Sequence, residues 1–500
     1  MKDIILKEIA LFLSILTVLS SVACSKQNTE NDISAVVQDN NEVNKKEPDE
    51  ETTEPETEDR RIPGPDKQDL GGYNLRIAGW KAFTRFIHRD EQTGEAVNDA
   101  LYNADLSVMN DYNCSIEVVL ADEFPVVTNT VNASVQAGLD EFDLSYSHDC
   151  ETVANVLRGD FIDIRSCDIF NLDAPWWTKT KDTFTIGGSM YFASSYLTYS
   201  PIYLGMILCY NKDLAADYQI EIPYEEIFAG NWYLDDLISM TQGTNRDLNG
   251  DGVMKLGEDQ YGFIANSLGL VNFQVSLGGN VVGKDEDGFL VLNVDEERLL
   301  NMLEKFEKLM ANGVDTIADG RWDYGTSYFG DGQGLFNYTQ ITAIPSMLTG
   351  KDVHYGTLPP PKLDELQKDY ISAAFDCYWA IPMTAYPNLE TIAVILEAKS
   401  QKCYYDVLPV SFETALKVRL SDSPTDAQTY EIIRDTMVVD PGYAFNEQNS
   451  SLADLIRIFS RAKSGEFSSF LKRVDKMARK GIDKINHTFL DMNERMEETP

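Results

Sequence analysis

The chain has 500 residues, 81 of them acidic and 42 basic, for a formal net charge of −39 at pH 7. So acidic a chain lacks the clustered Lys and Arg that a phosphate backbone demands, which excludes nucleic acid as its partner. It also carries 24 Tyr and 6 Trp, a surplus of aromatics of the kind a carbohydrate-facing cleft requires.

The first element is an apolar run of eleven residues, Ile9–Leu19, that ends in small residues and Ser21-Val22-Ala23-Cys24. It is too short for a bilayer span and has the length of a signal-peptide core, so residues 1–23 are expected to be a signal peptide. Small residues just before a cysteine resemble the bacterial lipobox, with Cys24 as the lipidation site. Ser21 stands where that pattern prefers Leu, and Asp3 and Glu8 offset Lys2 and Lys7. A plain cleaved secretory signal is the alternative. Both place the mature chain outside the cytoplasmic membrane, and the first anchors it by lipid to the outer face of the cell membrane.

Residues 25–70 hold 14 acidic and 6 basic residues, a net of −8 by subtraction, and few large apolar side chains. Such a segment cannot bury enough surface to offset its ordering entropy, so residues 24–70 are expected to be a disordered, acidic tether. The body, 71–500, is too long for one core and suits two lobes. No later stretch has the roughly 20 apolar residues of a membrane-spanning helix. Six further cysteines (Cys114, Cys150, Cys167, Cys209, Cys377, Cys403) show no CxxC spacing, so buried free thiols are expected, with pairing left open.

Tyr73–Trp80 alternates and reads as a first strand. Glu95–Tyr112 has the apolar period of an amphipathic helix. Cys114–Leu120, Phe142–Ser145, Met190–Ala193 and Met206–Tyr210 read as further strands, and Leu299–Met310 as a helix. The alternation predicts an α/β fold with sheets covered on both sides.

An ordered set of phrases then resembles the extracellular solute-binding proteins of bacterial ABC importers, in particular the family 1, carbohydrate-type group. They are TGEAVNDALYNADLSVMNDYNCSIEVV (Thr93–Val119), FIDI (Phe161–Ile164), PWW (Pro175–Trp177), SMYFAS (Ser189–Ser194) and ILCYNKDLAADYQI (Ile207–Ile220). NWYLDDLISMTQ (Asn231–Gln242), DLNGDGVMKLGEDQYGF (Asp247–Phe263), HYGTLPPPKLDE (His354–Glu365) and LPVSFETAL (Leu408–Leu416) follow in the same order. The resemblance implies a type II periplasmic-binding-protein fold: two α/β lobes, a hinge, and a ligand cleft between the lobes. It implies crossovers near 195–210 and 371–382, a monomer that works with the transmembrane subunits of an ABC permease, and contact with the membrane through a lipid anchor only. It fixes no ligand.

Two motifs carry chemistry. Asp247, Asn249, Asp251, Gly252 and Glu258 stand at the spacing of an EF-hand loop, so Asp247, Asn249, Asp251, the Val253 carbonyl and Glu258 are expected to hold one structural Ca2+, with Asp259 as a substitute for Glu258 and an Asn/Asp/Gly turn without metal as the alternative. A single loop without a partner argues against a calcium sensor. Sugars stack their C–H faces on aromatics. The candidates are Trp80 after the first strand, Tyr146 and His148 after the third, Tyr196 and Tyr199 after YFAS, Trp322 and Tyr324 in the GRWDYG loop, and Trp379 in the FDCYWAIP segment that resembles a lobe crossover, with core packing the alternative for each. Trp176, Trp177 and Trp232 read as packing. With four histidines, no HExxH, no GxSxG and no GxxxxGK[ST], the chain is expected not to be an enzyme. The reading is therefore a lipid-anchored binding protein of an ABC importer, most naturally for an oligosaccharide. A surface-anchored glycan-adhesion or glycan-degrading lipoprotein without a transporter is the alternative.

Overall fold

The computed structural model describes residues 61–177, 180–266, 269–311, 317–318, 324–348, 350–374, 377–419, 423–460 and 462–497. The signal segment, Cys24 and most of the tether therefore lie outside the described residues, as do Trp322 and the side chain of Tyr324.

The chain starts its core with β1 (Tyr73–Trp80), whose Leu75 and Ile77 are wholly buried. A helix, Ala96–Tyr112, follows; the Glu95 side chain caps it by accepting from the Asn98 amide at 2.7 Å. It stops at Asn113, whose φ of 46° breaks the helical path. β2 (Cys114–Ala121) then returns parallel to β1, with Tyr73 opposite Cys114 and Trp80 opposite Ala121. β3 (Leu144–His148) lies on the other side of β1, also parallel, with Ile77 opposite Leu144. The strand expected at Phe142 begins later, because Asp143 is tied instead to Arg76: its carboxylate accepts from the Arg76 backbone N–H at 2.8 Å and Nε at 3.0 Å.

Met190–Ala193 is not a strand, contrary to expectation. Its four residues are buried, but only Ala193 pairs, exchanging both backbone hydrogen bonds with Trp379 at 3.0 Å. Apolar content there reflects burial between neighbours rather than a pleated ladder, an ambiguity inherent in short apolar runs.

The next strands are β4 (Met206–Asn211), β5 (Tyr261–Asn266), β6 (Val282–Lys284), β7 (Leu290–Leu292), β8 (Ile317–Ala318), β9 (Gly334–Gln340) and β10 (Tyr355–Leu358). β11 (Ser372–Ala373), β12 (Cys377–Ala380) and β13 (Met437–Val438) complete the set. They form a four-stranded sheet in the order β12-β3-β1-β2 and a five-stranded sheet in the order β10-β4-β9-β5-β8, with two small two-stranded pairs. Both main sheets are mixed: β12 runs antiparallel to β3, and β4 runs antiparallel to β9 and β10. Every residue of β4 and β5 is buried, which is why their sequences are mostly apolar and do not alternate.

The chain leaves the first sheet after β3, enters the second at β4, and returns between β10 and β12. The two passages run side by side, bridged at Ala193–Trp379 and again at Gly205–Ala374. The last helix, Phe467–Glu497, buries Phe467, Leu471, Val474, Ala478, Ile482, Ile485 and Phe489 along one stripe. Its Asn486 amide exchanges two hydrogen bonds with Leu290, closing the edge of β7. Among the described residues, no helix is long and apolar enough to cross a membrane.

Candidate functional site

Parallel strands β1, β2 and β3 end at one edge of the first sheet, and open α/β sheets bind ligands outside such carboxyl ends. Gly79 lets the chain close tightly there: a Cβ on it would lie 2.6 Å from Thr84 Cγ2 and 3.1 Å from Val118 Cγ1. Trp80 follows. Its ring stacks on Phe83 (4.6 Å between centroids), meets Phe124 edge-on (5.2 Å), and lies 6.1 Å from the His148 ring at the end of β3. Two of the expected aromatic contacts, Trp80 and His148, are thus brought together.

His148 passes directly into the helix Asp149–Val156. Its Nδ1 is 2.5 Å from Asp149 Oδ1 and 3.3 Å from the sulfur of Cys150. Burial opposes protonation of the ring, but the charge and hydrogen bond of Asp149 overcome it and hold His148 well above the usual imidazole range. Asp149 is wholly buried, and its Oδ2 has no hydrogen-bond partner.

Facing this edge is a cavity of about 320 Å³. One wall is Cys150, Val153 and Ala154 of the helix after β3; another is Val271 of the helix Gly269–Ser276, which follows β5 of the second sheet. Tyr443, Asn446, Asp454 and Arg457 close it from the C-terminal segment. Asn446 Oδ1 and Asp454 Oδ1 are buried without a partner, although Arg457 Nε holds the other Asp454 oxygen at 2.7 Å. Burial pushes the Asp454 carboxyl up, against the pull of Arg457. Buried acceptors without donors are costly, so this cavity is set to receive hydrogen-bond donors.

The other expected contacts lie elsewhere. Trp379 and Tyr146 face each other across β12 and β3 and are 1 % and 0 % exposed. Trp379 donates to Ser195 Oγ at 3.0 Å and packs on Trp177, 5.5 Å away. Tyr199 is buried against Phe86, 5.0 Å away. Tyr196 lines a separate groove of about 600 Å³ with Tyr404, Tyr405, Phe412 and Arg434, away from the strand ends. Sequence reasoning did not single out Asp149, Tyr443, Asn446, Asp454 or Arg457 as site residues. Only the histidine beside Asp149 offered a signal; the C-terminal wall offered none.

The acidic loop folds as its spacing requires. Asp247 accepts from the amides of Gly250 (2.7 Å) and Gly252 (2.8 Å), and Asn249 and Asp251 each accept from the amide two residues on. Gly252 has a φ of +78°, the left-handed turn that lets the loop wrap. The Asn249 amide nitrogen lies 3.3 Å from carboxylate oxygens of both Asp251 and Glu258, and Lys255 pairs with Glu258. The Asn249 amide and the Lys255 ammonium thus stand among oxygens of the type that calcium takes. The carboxylates of Asp247, Asp251 and Glu258 are not themselves drawn within 4.8 Å of one another; among the described residues His148, Asp149 and Cys150 are the one such group.

No protein-family model and no curated protein matches the chain. Solved structures do. A cyclo/maltodextrin-binding protein complexed with maltotetraose superposes with a TM-score of 0.50 at 14 % identity, over 85 % of this chain and 98 % of that one. M. tuberculosis UspC superposes with a TM-score of 0.50 at 15 % identity, over 82 % of this chain and 100 % of that one. The chain has the two-lobed α/β fold of type II periplasmic-binding proteins.

Proposed function

We propose that this chain is the capture component of an ABC importer, anchored by lipid at Cys24, which closes its two lobes on a neutral oligosaccharide and presents it to the permease. The observation that carries this reading is the cavity between the helices that follow β3 and β5, with the donor-less oxygens of Asn446 and Asp454. Sugar hydroxyls are the donors such oxygens lack, and Trp80 beside His148 offers an apolar ring for the opposite sugar face. At the cavity Arg457 pairs with Asp454 and His148 with Asp149, while Glu447 adds an exposed carboxylate to the lining, so the walls disfavour an anionic solute. The same fold holds maltotetraose in the dextrin-binding protein.

Capture, not chemistry, is the mechanism. Ligand bound between lobes stabilises the closed form by the difference in its affinity for the two states. The acidic tether would hold the body off the membrane, and calcium bound by Asp247, Asn249, Asp251, the Val253 carbonyl and Glu258 would pin the loop. The test is calorimetry of the purified chain against a neutral glycan panel beside a peptide panel. Saturable glycan binding supports the reading; saturable peptide binding with no glycan binding sinks it.

A further inference from the structure

We infer that the turn His148–Asp149–Cys150 is a binding site for one divalent transition-metal ion of the zinc class, open toward the interlobe cavity. An imidazole nitrogen, a carboxylate oxygen and a thiol sulfur converge here, with one ligand atom from each residue within 4.8 Å of the others. That mixed set is what zinc takes and what calcium or magnesium does not.

The spacing fits. Zinc holds nitrogen and oxygen at about 2.0–2.1 Å and sulfur at about 2.3 Å, so tetrahedral neighbours lie roughly 3.3–3.6 Å apart. Cys150 Sγ is 3.3 Å from His148 Nδ1. Asp149 Oδ1 is closer to Nδ1, at 2.5 Å, and the two would move apart by about 1 Å to share a metal ion. Asp149 Oδ2, however, is buried and has no partner. Oδ1 is already held by His148 and by the Cys150 amide at 2.6 Å, so Oδ2 is the one buried acceptor left over, which a metal ion would satisfy. Cys150 is exposed and lines the cavity. Three protein ligands leave a fourth position facing the cavity, as in metal sites that bind an outside ligand.

The experiment uses the full chain, stripped of metal and kept reduced without added thiol. Zn2+ is titrated by calorimetry and Co2+ by absorbance. One equivalent of each is expected, with a thiolate-to-cobalt charge-transfer band. Cys150→Ser, at an exposed position, should abolish the band, and His148→Gln should weaken zinc affinity by at least about tenfold, the cost of even a supporting residue in metal sites. The double variant Asp247→Ala, Asp251→Ala should retain both signals, which separates this site from the acidic loop. Absence of zinc binding, or a stoichiometry and cobalt band unchanged in Cys150→Ser, overturns the proposal.

Discussion

The carboxylate of Glu397 accepts the indole N–H of Trp176 at 2.9 Å. Its other oxygen accepts from Trp177 at 3.1 Å, and the side chain is 2 % exposed. Burial dominates over these hydrogen bonds and raises its pKa from 4.5 to about 7. A group whose folded pKa is raised contributes stability that is complete below its unfolded value and is lost as pH rises through the folded one. Between pH 4.5 and 7 the wild type should therefore lose about 3 kcal/mol relative to Glu397→Gln. Urea denaturation of both proteins across that window checks this; parallel pH profiles would refute it.

Lys399 and Asp105 form an ion pair, 1 % and 0 % exposed, and His88 Nδ1 lies 2.8 Å from the same carboxylate. Lys399→Met leaves a buried charge short of its main partner and should cost about 3–5 kcal/mol. The surface pair Arg61–Asp406, with side chains 50 % and 36 % exposed, is the contrast; Arg61→Ala should cost less than about 1 kcal/mol. Chemical denaturation midpoints of the two variants decide it.

What the sequence revealed and what it hid follow from local versus tertiary causes. The helix at Ala96–Tyr112 and the helix at Glu296–Ala311 were legible because each buries one face with the period of its own backbone, and Tyr73–Trp80 because its apolar residues run into Gly79. Trp176 and Trp177 were legible as packing, and Glu397 between them shows why. Trp379 and Tyr146 illustrate the limit: both sit on strands at the site's edge, yet which sheet face an aromatic takes depends on strands distant in sequence. The wall formed by Tyr443, Asn446, Asp454 and Arg457 had no motif, since only the fold brings it opposite Cys150.

Calcium at the acidic loop makes a separable prediction. Extracellular sites bind at roughly 10⁻⁴–10⁻³ M, and a ligand that binds only the folded chain raises its stability. Chelator should lower the melting temperature of wild type and leave that of the Asp247→Ala, Asp251→Ala variant unchanged. Equal responses would remove calcium from the account.

The anchor is tested in cells. Cys24→Ala should leave the membrane fraction or remain unprocessed; fractionation and migration like wild type would exclude lipidation at that residue.

The most direct measurement is calorimetric titration of wild type and Asn446→Ala with the neutral oligosaccharide that binds best in the panel. Asn446 contributes a donor-less oxygen to the cavity and lies outside the metal-ligand turn. Loss of that acceptor should weaken binding by about 1–3 kcal/mol, or roughly five- to 150-fold, without lowering the melting temperature of the free protein. Saturable binding in wild type weakened to that extent is the predicted result. Unaltered affinity in Asn446→Ala, or no oligosaccharide binding at all, would contradict capture in this cavity.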